Sequence, residues 1–65
     1  MATEFELRNI YTIQYQELLD AIIIFDKDYP NDAAGHNALV ELARKARQRA
    51  QNVGLTSLDP LPELK

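Results

Sequence analysis

The stretch Asp26-Lys27-Asp28-Tyr29-Pro30-Asn31-Asp32 gathers four side chains with free oxygens, and oxygen-rich loops of this kind can hold a hard cation such as calcium. Asp26 and Asp28 match the first and third positions of a calcium loop. Its sixth position, where a glycine makes the sharp turn, is Asn31 here, and its twelfth, where a bidentate glutamate belongs, is Asn37. The stretch therefore reads as a solvated turn with helix-capping groups. His36 is the only histidine and there is no cysteine, so no Cys/His metal set is available. Ser57 stands in a proline-containing stretch with no second histidine to activate it. Tyr11 and Tyr15, one helical turn apart, suit the rim of a core or an interface. No catalytic residue, metal ligand or cofactor is expected.

Arg44, Lys45, Arg47 and Arg49 are the basic cluster of the chain, and lysine and arginine in such a run are what phosphate backbones attract. On a helix, however, Arg44 and Arg47 fall on one edge of the apolar stripe and Lys45 and Arg49 on the other, with no aromatic residue among them. The formal net charge of −3 opposes nucleic acid. A small dimeric nucleic-acid-binding regulator using these four residues stays as the alternative function. Its binding would fall steeply with salt.

The elements that carry these residues follow from the chain's punctuation. Neither glycine nor proline interrupts residues 4 to 27. Pro30, Asn31 and Asp32 then supply a turn with Asn31 or Asp32 as N-cap, and a second proline-free stretch ends at Val53, before Gly54 in the place of a C-capping glycine. The expected fold is all-α: an antiparallel hairpin of two helices, about 4–27 and 32–53, within a hairpin domain 1–54. Pro60 and Pro62 exclude helix from the remainder, so 55–65 is expected as an extended tail. A β-strand over Ala21–Phe25 competes, because isoleucine and phenylalanine favour strands, but no second strand exists to pair with it.

Stripe widths carry the functional expectation. On a wheel of about 100° per residue, Leu7, Tyr11, Leu18, Ile22 and Phe25 line one face of helix 1, with Tyr15 beside them. Phe5, Thr12, Leu19 and Ile23 form a second stripe, and Ile13 and Ile24 lie among acids on the polar side. Helix 2 offers one narrower stripe, Leu39, Leu42, Ala43, Ala46, Ala50 and Val53, flanked by Val40. One helix of this kind cannot cover the other, and a 65-residue chain without disulfides or metal has oligomerisation left as its support. A homodimer forming a four-helix bundle is expected, with Phe5, Ile13, Tyr15, Leu19, Ile23 and Ile24 at the dimer or partner interface. Leu55, Leu58, Leu61 and Leu64 recur every third residue, the period of a polyproline II turn, and are expected to dock the tail. Residues 1–32 set seven acids against Arg8 and Lys27, whereas 33–54 set Glu41 against four bases, so the two helices are electrostatically matched.

In length and layout the chain is similar to the Rop class of helical-hairpin dimers. The likeness covers architecture alone, with no matching residues, and implies no RNA binding. The expected function is a small non-catalytic protein–protein interaction module: an adaptor, a regulatory subunit or an inhibitor, with a protein partner. A structural subunit of a larger complex is a further alternative. The acidic start, Met1-Ala2-Thr3-Glu4-Phe5-Glu6, lacks the pattern of an export signal, no apolar run is long enough to cross a membrane, and the absence of cysteine fits the cytoplasm.

Overall fold

A computed structural model describes residues 3–65; residues 1 and 2 of the expected hairpin domain lie outside them. Two helices, α1 (Glu4–Asp28) and α2 (Ala33–Asn52), pack side by side, and Ala21–Phe25 are helical within α1 rather than a strand. Their boundaries have local causes. The Thr3 hydroxyl accepts the Glu6 N–H at 3.1 Å to start α1, and the Asp32 carboxylate accepts the Gly35 N–H at 2.8 Å to start α2, each satisfying a donor that the helix itself leaves free. At the far end Gly54 adopts φ +93°. Leu55 N–H bonds the Ala50 carbonyl and Gly54 N–H the Gln51 carbonyl, the pair of bonds that defines a Schellman stop.

The helices run antiparallel. His36, in the first turn of α2, meets Asp26 near the end of α1, and Arg8, near the start of α1, donates through Nε to the Val53 carbonyl at 2.6 Å. The interior follows a four-three spacing on both helices. On α1 it runs Tyr11, Tyr15, Leu18, Ile22, Phe25, of which Tyr15 and Ile22 are buried; on α2 it runs His36, Val40, Ala43, Arg47, Ala50, with Ala46 beside it. Such spacing keeps one seam facing a neighbouring helix. The small residues Ala43, Ala46 and Ala50 have no exposed surface and receive the larger side chains of α1.

The α2 stripe is rotated from the expected one. Val40, expected as a flank, is buried, while Leu42, expected in the stripe, is 51% exposed. A third layer accompanies the rotation: Leu58 and Leu61, from the segment after Gly54, pack against the core cluster to which Val40 belongs. That segment contains no helix or strand.

Gly35 marks the closest approach of the helices near their turn. A side chain there would run into the Phe25 ring and the Asp32 carboxylate. The Phe25 ring in turn lies against Tyr29, with centroids 5.3 Å apart.

Candidate interaction surface

The six residues expected at an interface are distributed over three environments. Tyr15 is a correction: it is fully buried inside the single chain, and its hydroxyl donates to the Asp59 carbonyl at 2.7 Å. It lies between the two expected stripes of α1, where both α2 and the C-terminal segment reach it. Burial pushes its phenol pKa up, with the Arg47 charge opposing. Leu19 is half-buried against the core cluster. Phe5, Ile13, Ile23 and Ile24 are exposed, Ile23 by 67% and Ile24 by 61%.

Exposed apolar residues on α1 also include Ile10, which the stripe comparison passed over. Ile10, Ile13, Glu17, Asp20 and Ile24 repeat the three-four spacing of the interior seam on the opposite side of the helix. The signal was in the sequence: these positions are the buried seam displaced by about half a turn, with acids at two of five places. Leu42 of α2 adds an exposed leucine to the molecule's surface.

Between the helices lies an open depression of about 290 Å³, lined by Gln14, Glu17 and Leu18 from α1 and by Ala46 and Arg49 from α2. Its floor is apolar and its walls carry one acid and one base. Glu17 of the acidic helix and Arg49 of the basic one therefore stand at the same level of the hairpin, facing the same space.

The four basic residues do not act together. Arg44 is paired with Glu41 at 3.0 Å, and the two hold each other charged: the Glu41 carboxyl is lowered and the Arg44 guanidinium raised by their mutual hydrogen bond. Arg47 is half-buried in the seam with its Nε inside, while Lys45 and Arg49 remain exposed. A duplex phosphate backbone meets no continuous positive face here.

Of the four tail leucines, Leu58 and Leu61 lie against the core, Leu55 is half-buried and Leu64 is 61% exposed. Polar side chains of the hairpin hold the same segment along its length. Tyr15 and Asn37 donate to the carbonyls of Asp59 and Lys65, Gln16 donates to the Asp59 carboxylate at 3.0 Å, and His36 Nε2 lies 2.8 Å from the Glu63 carbonyl oxygen. Among the described residues no group of three histidine, cysteine, aspartate or glutamate side chains is placed to hold a metal ion, and no helix is long and apolar enough to cross a membrane.

What these features define is an all-α helical hairpin with exposed isoleucines and acids sharing the outer side of one helix. Comparison with protein-family models, with curated proteins and with solved structures finds no match.

Proposed function

We propose that this chain is a non-catalytic protein–protein interaction module, cytoplasmic, that works as a homodimer in which two hairpins form a four-helix bundle. The observation that carries the reading is the line of exposed isoleucines, Ile10, Ile13 and Ile24, on the side of α1 away from a core that is already filled. Ordered hydrophobic strips of this kind mark association surfaces.

Magnitudes decide how much surface must take part. Ile10, Ile13 and Ile24 are 45, 57 and 61% exposed, so covering them contributes about 2–5 kcal/mol in total, against about 4–15 kcal/mol lost on immobilising a partner. The strip alone therefore falls short, and the partly exposed Leu18 and exposed Leu42 must be covered too. Charge selects the arrangement. A two-fold axis parallel to the helices lays α1 of one copy over α2 of the other at equal height, so Glu17 falls opposite Arg49 of the second copy. An axis across the helices would stack α1 on α1 and bring Glu17 and Asp20 near their own images, which like-charge repulsion opposes.

Light scattering across a concentration series tests the reading. A dimer is expected, weakened by Glu17→Arg or Arg49→Glu alone and restored when both changes are combined. A monodisperse monomer at every concentration overturns the homodimer. Dimer that the single charge changes leave untouched overturns the two-fold arrangement.

A further inference from the structure

We propose that His36 is a proton-operated latch, fixing Glu63 of the C-terminal segment across the turn end of the hairpin when its imidazole carries two protons and releasing it when it carries one.

The geometry rests on what surrounds the ring. His36 is 4% exposed. Its Nδ1 lies 2.8 Å and 3.0 Å from the two carboxylate oxygens of Asp26 on α1, and its Nε2 lies 2.8 Å from the backbone carbonyl oxygen of Glu63 in the C-terminal segment. Both partners are acceptors only. A neutral imidazole has one N–H, so in either tautomer one of these two short contacts would set a nitrogen lone pair against an oxygen lone pair. Only the imidazolium donates to both. The charged ring is therefore the form that ties α1, α2 and the C-terminal segment together at one point.

Other charges face the same spot. Lys65 from the C-terminal segment places Nζ 3.4 Å from Asp26 Oδ1 and 3.1 Å from the Pro30 carbonyl, and its positive charge opposes that of the imidazolium. On α2 itself, Asp32 caps the helix one turn before His36, and the positive end of the helix dipole also disfavours a cation in the first turn. Against these stand the Glu63 carbonyl and the Asp26 carboxylate, which together raise the His36 pKa above the ordinary 6.5 despite burial. Asp26 is correspondingly lowered from its ordinary 3.8, chiefly by its bond to His36.

The sign follows. A raised histidine pKa adds stability that is complete below pH 6.5 and is lost as pH rises through the folded-state value. A lowered aspartate pKa adds stability present above pH 3.8 and lost as pH falls through its folded-state value. The latch is thus closed in mildly acidic solution and opens on the alkaline side. Opening is confined to Glu63: Leu58 and Leu61 still pack on the core, Tyr15 still holds Asp59 and Asn37 still holds Lys65, groups that do not depend on His36.

Nuclear magnetic resonance of the ¹⁵N-labelled 65-residue chain across neutral pH tests this directly. Both His36 ring nitrogens are expected to be protonated at the acid plateau, with a midpoint above 6.5. The Glu63 amide should share that midpoint, its order parameter falling from about 0.85 to below about 0.6, while Leu58 stays ordered. Asp26→Asn should move the midpoint down. A midpoint at or below 6.5, a singly protonated ring at the acid plateau, or a Glu63 amide that stays ordered through the titration would each overturn the latch. The wild-type titration decides the matter even if Asp26→Asn does not fold.

Discussion

The two sides of α1 repeat the same spacing with opposite outcomes. Tyr11, Tyr15, Leu18, Ile22 and Phe25 face α2 and the C-terminal segment; Ile10, Ile13, Glu17, Asp20 and Ile24 face outward. The first set is apolar or amphipathic at every place, and the hydroxyl of its buried Tyr15 is anchored on the Asp59 carbonyl. The second set interrupts its isoleucines with two carboxylates. Period alone makes a seam; composition decides what can close it. An all-apolar seam is filled by any neighbouring apolar layer, and here the chain supplies that layer itself, whereas a seam with acids at fixed places accepts a surface with bases at matching places.

The largest effect that can test this contrast lies on the inner side. Ile22→Ala removes a side chain that is 3% exposed at the centre of the core cluster, and lost burial plus the cavity left behind should cost about 2–5 kcal/mol of stability. Denaturant unfolding measures it as a lower midpoint at unchanged slope. A cost below about 1 kcal/mol would mean that the inner seam is no better packed than the outer surface.

Gly35→Ala is expected to cost about 1–2 kcal/mol, since helix propensity gains up to about 1 kcal/mol while displacing the Phe25 ring costs about 1–3 kcal/mol. The same unfolding series reads it, and near-ultraviolet circular dichroism should register the loss of the Phe25–Tyr29 packing. A stabilised Gly35→Ala would show that the ring moves aside freely and that the helices are not tight at the turn.

How much of this was legible depends on whether a residue's partner is itself in the pattern. The two helices, the Asp32 cap and the Gly54 stop were readable, because propensity, capping chemistry and proline exclusion act within a few residues. The register of α2 was not. Leu42 outranks Val40 on hydrophobicity and wheel position; Leu58 and Leu61, whose three-residue period marks a docking segment without saying which side of the hairpin it covers, pack against the cluster in which Val40 lies. Tyr15 was misplaced for the same reason, its burial being completed by Asp59, 44 residues away. The twofold engagement of His36 was equally beyond reach, as one of its two partners is a backbone carbonyl, and every residue but the histidine's actual neighbour carries an identical one.

Tyr15→Phe isolates the bond that joins the inner seam to the C-terminal segment. The ring stays buried, and the Asp59 carbonyl, on an exposed residue, can find water, so the cost is expected at about 0.5–1.5 kcal/mol. Light scattering should show assembly unchanged, because the hydroxyl points into the chain. Loss of the dimer in Tyr15→Phe would place this residue at the interface after all.

Ile24→Ser carries the smallest expected effect on the hairpin itself and the sharpest test of the outer seam. Ile24 is 61% exposed and outside the core cluster, so the folded monomer should keep its stability to within about 0.5 kcal/mol at low protein concentration. At high concentration the variants should diverge, because a dimer adds stability by mass action and its unfolding temperature rises with concentration. Wild type should show that rise, and Ile24→Ser should show less of it or none. Equal concentration dependence in both chains would separate exposure from association: the isoleucines would be bare without being the surface that a second copy covers, and Glu17 and Asp20 would be ordinary solvated acids rather than the elements that choose a partner.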